Sequence, residues 1–334
     1  MDFLTNWLSI GWWVGAILIV IGFIALVKGA DWLVDGASAI AKHFGISDLV
    51  IGLTVVAFGT SMPEFVVNMV SVASGSTDLA ITNILGSNII NTFVILGVTA
   101  LVYPIASQKH SRDFDIPMSM IAGILVFAAV SVNSPLGEAG KSISRLGGIM
   151  LLVLFGFFLY ETFRHSMAHP EEAGNQELAT KPISTRRAIG LIIGGLVGLV
   201  VGGELIVKSA VDIATRLGVS EAIIGLTIVA LGTSLPELAT SVIAATKKNS
   251  DIAIGNVIGS NIFNVFFVLG TSAIIRPLPA YDGITIDAWM ATVGSMIVWM
   301  ALKTNEERLL KRWAGAVLLI VYAGYLTFRL LHVY

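Results

Sequence analysis

Two stretches decide the reading of this chain: Ala57-Phe58-Gly59-Thr60-Ser61-Met62-Pro63-Glu64 and Ala230-Leu231-Gly232-Thr233-Ser234-Leu235-Pro236-Glu237. Each lies inside an apolar run long enough to cross a bilayer, and each carries a proline and a carboxylate where a buried helix tolerates neither without a reason. A carboxylate at the centre of a span costs about 2.5–3.5 kcal/mol on insertion scales, so two of them at matching positions point to function.

Working outward, residues 51–105 align with 224–278 at a constant offset of 173 without a gap, with 25 identities in 55 positions. The register continues upstream, where Gly29 faces Gly202, Asp31 faces Glu204 and Ser47 faces Ser220. The chain is a duplication. Of its 334 residues 55% are hydrophobic and 13% charged, too few charges to cover a soluble surface. Apolar windows of about 20 residues predict ten spans, near 12–33, 48–72, 78–102, 114–132, 146–164, 188–212, 221–246, 251–275, 284–302 and 312–331. The first is read as a retained helix: Asp2 stands where a signal peptide has a basic region. The predicted fold class is therefore an all-α membrane protein of ten transmembrane helices in two five-helix repeats, 1–164 and 188–334, joined by a polar linker at 165–187. Five is odd, so the second repeat enters from the opposite face, the inverted-repeat plan of many secondary transporters.

Basic residues set the orientation. With Lys28 and Lys208 set inside spans, thirteen of the other eighteen Lys and Arg belong to the ends and loops after odd-numbered spans and five to the opposite side. The positive-inside rule then makes the linker cytoplasmic and puts both termini outside. The absence of cysteine excludes disulfides, thiolate metal sites and cysteine nucleophiles. No phosphate-binding loop suggests nucleotide coupling, and no nucleophile–base set lies in the spans, so no enzymatic activity is expected.

Pro63 cannot donate to the carbonyl of Gly59, so each motif helix should kink and free backbone oxygens at 57–60 and 230–233. Thr60 and Ser61 stand four and three residues before Glu64, as Thr233 and Ser234 stand before Glu237, which predicts one shared face in each helix. Spans 3 and 8 repeat Asn83-Ile84-Leu85-Gly86-Ser87-Asn88-Ile89-Ile90-Asn91 as Asn256-Val257-Ile258-Gly259-Ser260-Asn261-Ile262-Phe263-Asn264. There Ser87 with Asn91 and Ser260 with Asn264 also share faces, Gly86 and Gly259 permit close approach, and Asn88 and Asn261 are expected to bond other helices. Carboxylate, hydroxyl, amide and carbonyl oxygens form a ligand set suited to hard cations such as Ca²⁺ and Na⁺. Without a cation between them the two carboxylates repel each other. Lys28, Asp31 and Asp35, and Glu204, Lys208 and Asp212, are expected to pair within their helices. Asp78 and Asp251 are expected as helix caps.

The paired Gly-Thr-Ser-x-Pro-Glu and Gly-Ser-Asn-Ile-x-Asn segments, one set per half, resemble the alpha-repeats of the cation/calcium exchanger superfamily in its prokaryotic sodium/calcium exchanger branch. The resemblance covers nearly the whole chain. It implies ten helices and alternating access by sliding of spans 1 and 6 over an eight-helix core. It also implies an ion-ligand set of Glu64, Glu237, Thr60, Thr233, Ser61, Ser234, Ser87, Ser260, Asn91 and Asn264 with the carbonyls of Ala57 and Ala230. The family sometimes has aspartate at the position of Asn264, associated with K⁺ co-transport, so asparagine here argues against potassium dependence. The Gly-Asn-Ala-x-Glu repeat of proton-coupled exchangers is missing. The expected function is a Na⁺/Ca²⁺ antiporter of the cell membrane, with an H⁺/Ca²⁺ antiporter or a passive cation channel as alternatives. No cofactor is expected, and the expected partners are the lipid bilayer and the transported Ca²⁺ and Na⁺, with no nucleic acid and no obligate protein partner.

Overall fold

The structure, a computed structural model, describes residues 12–131, 137–138, 142–169, 183–218, 230–281, 283–304 and 306–333. The first eleven residues and most of the linker lie outside them. Among the described residues the fold is helical apart from two-residue ladders, such as Ile105–Ala106 against Leu309–Leu310.

In the first half the helices are α1 (Trp12–Phe44), α2 (Asp48–Thr60), α3 (Met62–Ser74), α4 (Thr77–Val102), α5 (Ser111–Ser131) and α6 (Arg145–Ala168). In the second they are α7 (Thr185–Arg216), α8 (Ala230–Thr233), α9 (Leu235–Thr246), α10 (Ser250–Ile275), α11 (Ile284–Thr304) and α12 (Arg312–Val333). Among the described residues seven helices are long and apolar enough to cross a membrane, and the bent pair α2–α3 makes an eighth. The repeat is visible in the elements themselves, since α4 and α10 begin at Thr77 and Ser250, 173 residues apart. Both pass through a π-helical segment, Ile90–Ile95 and Phe263–Leu269, whose starts keep the same offset.

Burial runs from the inside out as a bilayer demands. The most apolar windows of α4 and α10 are 78% and 94% buried, whereas those of α1, α6 and α7 are 33%, 28% and 28% buried. The polar motif helices are thus the centre of the molecule. Exposed apolar side chains such as Val20 and Ile24 of α1, Val153 of α6 and Ile193 and Val197 of α7 face outward, the arrangement that lipid favours.

Helices α1 and α7 cross antiparallel through glycines. A Cβ on Gly29 would lie 2.7 Å from the Gly195 carbonyl oxygen, and one on Gly22 would lie 2.8 Å from that of Gly202. Gly22 corresponds to Gly195 and Gly29 to Gly202 in the repeat, so the two contacts are interchanged by one two-fold axis. Both helices run past the apolar windows, because their last turns carry charge: Lys42 in α1 and Arg216 in α7.

Serine and asparagine set several helix starts. The Ser47 hydroxyl accepts from the Val50 N–H at 3.3 Å, and Asn249 Oδ1 accepts from the Ile252 N–H at 3.0 Å. Asn249 therefore caps α10, not Asp251, whose Oδ2 instead accepts from Gln108 Nε2 at 2.7 Å. Asp78 likewise lies inside the first turn of α4, after Ser76 at the cap position.

Candidate functional site

The motif helices do not simply kink at their prolines. They stop at Ser61 (φ −86°, ψ 8°) and Ser234 (φ −90°, ψ 7°), and α2 and α3 diverge by 47°. Pro63 and Pro236 stand in the first turn of the new helices, where a missing N–H leaves no bond unmade. The break separates Thr60 from Glu64, so the expected common face within one helix does not form. The hydroxyls address the opposite repeat instead. Ser61 Oγ donates to Glu237 Oε1 at 2.9 Å, and Thr60 Oγ1 donates to Asn256 Oδ1 at 3.0 Å.

Every described side chain of the expected ligand set except Thr233 is buried. Glu64 and Glu237 are each 1% exposed, and Ser87, Ser260, Asn91 and Asn264 are buried with them. The two carboxylates are near enough for their charges to act on each other. Buried polar atoms are normally hydrogen-bonded. Among the buried atoms without a partner, Asn261 Oδ1 and Thr240 Oγ1 included, are six oxygens of the expected ligand set: Glu64 Oε2, Glu237 Oε2, Ser234 Oγ, Ser260 Oγ, Asn91 Oδ1 and Asn264 Oδ1. All six are oxygens, all belong to positions singled out by the motifs, and three come from each kind of group: carboxylate and hydroxyl oxygens from the broken helices, hydroxyl and amide oxygens from α4 and α10. Oxygens without a proton donor suit a cation. The Ala57 carbonyl, by contrast, already accepts from the Ser61 N–H at 3.0 Å and faces the Thr60 hydroxyl at 3.3 Å. Of Ala230 only the backbone is described.

Amide pairs orient these oxygens. Asn264 Nδ2 donates to Asn88 Oδ1 at 3.1 Å, which turns the Asn264 oxygen away from that contact. Asn88 Nδ2 donates to the Asn261 carbonyl at 3.0 Å, and Asn261 Nδ2 to Thr92 Oγ1 at 2.8 Å, so both bond other helices as expected. Gly259 also behaves as expected: a Cβ there would lie 2.6 Å from the Leu53 carbonyl oxygen. The segment that the repeat would set against Gly86 lies outside the described residues. Among the described residues no three His, Cys, Asp or Glu side chains gather as a metal cluster. The site's formal charge therefore rests on two carboxylates.

The motif reading missed Asn256, Asn68 and Ser241. Thr60 Oγ1 donates to Asn256 Oδ1 at 3.0 Å, and Asn256 Nδ2 donates to the Glu237 carbonyl at 3.2 Å and to Ser241 Oγ at 3.0 Å. Asn68 and Ser241 each follow their glutamate by four residues, a spacing that could have marked them.

The two sides of the site differ in packing. Thr60 is 1% exposed, whereas Thr233 is half-buried and lines a cavity of about 410 Å³ with Pro63, Val67, Gly203, Glu204 and Lys208. The repeat equivalents of Gly203, Glu204 and Lys208 are Ala30, Asp31 and Asp35. There Lys247 Nζ lies 2.7 Å from Asp31 Oδ1 and 2.6 Å from Asp35 Oδ1, and Ala30 is fully buried. The acidic residues of α1 thus pair with α9, not with Lys28 of their own helix. In α7 the expected Glu204–Lys208 pair forms, but Asp212 pairs with Arg216 of the last turn and not with Lys208.

Comparison with known proteins gives a consistent picture. Residues 14–163 and 187–331 match the family model described as sodium/calcium exchanger protein. The putative antiporter CaxA of Alkalimonas amylolytica is 36% identical over 319 residues, covering 93% of this chain and 97% of that protein. The sodium/calcium exchanger MaX1 of Methanosarcina acetivorans is 31% identical over 347 residues, covering 94% and 97%. A solved structure of the sodium-calcium exchanger NCX_Mj, soaked with 2.5 mM Na⁺ and 0.1 mM Ca²⁺, matches with a TM-score of 0.77 at 32% identity over 93% of this chain and 96% of that one.

Proposed function

The chain belongs to the sodium/calcium exchanger family, a family of membrane transporters and not of enzymes, and from that premise we propose that it drives Ca²⁺ out of the cell against Na⁺ entry through one central site. In this reading it has ten spans in two inverted repeats, 1–164 and 188–334, lies in the cell membrane with both termini outside, and keeps the 165–187 linker in the cytoplasm.

The observation that supports the reading is the set of six unpartnered buried oxygens, drawn from both repeats, on Glu64, Glu237, Ser234, Ser260, Asn91 and Asn264. Two carboxylates balance one Ca²⁺, and the neutral oxygens complete a shell of the kind that Ca²⁺ and Na⁺ share. Either ion can then occupy the same cage, and competition couples their movements. Alternating access follows from the pseudo-symmetry: α1 and α7, joined through glycines and facing lipid, slide as a unit over the core and expose the site first on one side, then on the other. In this reading the Thr233 side, which lines a cavity, belongs to the outer half and the tightly packed Lys247 side to the cytoplasmic half, so this conformation leans outward.

The coupling ion is tested in vesicles. With equal pH on both sides, vesicles loaded with Na⁺ should take up radioactive Ca²⁺ far faster than Na⁺-free ones. Uptake indifferent to internal Na⁺ but driven by a pH gradient would assign the protein to H⁺/Ca²⁺ exchange, and uptake needing neither gradient would make it a channel.

A further inference from the structure

Asn83 and Asn256 are repeat equivalents with unequal surroundings. Asn256, fully buried on the central helix α10, joins three groups: it accepts from the Thr60 hydroxyl and donates to the Glu237 carbonyl and to Ser241 Oγ. The same connections drawn through the repeat would join Asn83 to Thr233, to the Glu64 carbonyl and to Asn68. Only the last is made, with Asn83 Nδ2 donating to Asn68 Oδ1 at 3.2 Å. Asn68 Nδ2 in turn donates to Ser272 Oγ at 3.1 Å.

The difference follows the packing on the two sides of the site. Where Asn256 holds the end of α2 and the start of α9, Thr60 is packed shut. Where Asn83 holds neither partner, Thr233 stands at the cavity. We infer that Asn256 and Asn83 are positioning residues that clasp the two halves of the site alternately, Asn256 closing the Thr60–Glu237 side in this conformation and Asn83 closing the Thr233–Glu64 side in the opposite one. The inference rests on the alternating-access reading above.

Asparagine suits the task because one amide offers both an acceptor and two donors. With the Thr60 proton held by Asn256 Oδ1, the lone pairs of the Thr60 oxygen are free for a cation, so closing the gate and completing the cage are one event. A supporting residue of this kind acts through the ligands it orients. The clasp joins buried helix α10 to the end of α2 and the start of α9, and its loss shifts the balance between conformations without removing a charge.

The chain has no cysteine, so one thiol can report on the cavity. In a Val67→Cys parent expressed in intact cells, a charged, membrane-impermeant maleimide added outside reads the outward-facing population. Asn256→Ala is expected to slow labelling about threefold or more, the size of one lost hydrogen bond, whereas Asn83→Ala leaves it unchanged or speeds it. If both variants slow labelling alike, or Asn256→Ala leaves the rate unchanged, the clasp is wrong. Should Asn256→Ala not accumulate as folded protein, Ser241→Ala removes one partner of the clasp; it too must slow labelling, and an unchanged rate overturns the inference. The parent distinguishes the two levels of the argument. Labelling in the parent that ignores saturating external Na⁺ and Ca²⁺ defeats alternating access itself, and the clasp with it. An ion-sensitive parent with insensitive variants defeats the clasp alone.

Discussion

Ser61 Oγ donates to Glu237 Oε1 at 2.9 Å across 176 residues of sequence, so a hydroxyl of the first repeat serves the carboxylate of the second. The site is built crosswise. Neither repeat carries a complete half of it, and the ligands of each depend on how the two dock.

Ser61→Ala removes this donor while leaving both carboxylates in place. A hydrogen bond to a charged group contributes about 1.5–3 kcal/mol, so Ca²⁺ half-saturation in a transport assay should rise by roughly tenfold or more. An unchanged half-saturation would mean that the Ser61 contact does not shape the site.

The α1–α7 crossing has no room for a side chain at Gly29, where a Cβ would meet the Gly195 carbonyl oxygen and the Leu199 nitrogen at 2.7 Å each. Gly29→Ala should therefore lower stability by about 1–3 kcal/mol, seen as a lower thermal midpoint in detergent, and slow transport as the helix pair is forced apart. Gly156→Ala is the control. Nothing lies within 4 Å of a Cβ there, on an exposed face of α6, and the change should be neutral or stabilising by up to about 1 kcal/mol.

Lys247 joins α9 to Asp31 and Asp35 of α1, and its repeat equivalent Ser74 bonds Ser71 and Ser76 of its own neighbourhood instead. The two ends of the sliding pair are therefore held unequally. The pairs are partly exposed, so Lys247→Met should shift the conformational balance by about 1 kcal/mol, roughly fivefold in population. In the Val67→Cys background external labelling should slow by that factor at low salt, and the difference should shrink in 1 M salt, where the Debye length is only about 3 Å. Equal rates for parent and variant at low salt would remove Lys247 from the gate.

Much of this was legible in the residues. The 173-residue offset located the repeat, and α4 and α10 keep it at their first residues. Glu64, Glu237 and the serines and asparagines of the motifs were marked because a polar group inside a span demands a partner. What the motifs did not carry was tertiary. Helical spacing placed Thr60 beside Glu64, but the chain breaks at Ser61, two residues before the proline, since Pro63 is best placed in the first turn of a new helix. Asn256 was indistinguishable from a packing residue until Thr60, 196 residues away, was found to donate to it. Asp31 and Asp35 have a lysine at helical spacing, yet they pair with Lys247, more than 200 residues further on. Local periodicity says which residues share a face, not which other element arrives there.

The central claim is that one cage holding Glu64 and Glu237 binds Ca²⁺ and Na⁺ in competition. It is tested most directly by titrating Ca²⁺ into the purified protein in Na⁺-free buffer and again at rising Na⁺, with Glu64→Gln and Glu237→Gln beside it. The account expects a saturable Ca²⁺ isotherm whose apparent Kd rises with Na⁺ while its capacity stays constant, and no measurable Ca²⁺ binding in either glutamine variant. Full Ca²⁺ affinity in Glu64→Gln or Glu237→Gln, or a Kd that ignores Na⁺, would contradict it.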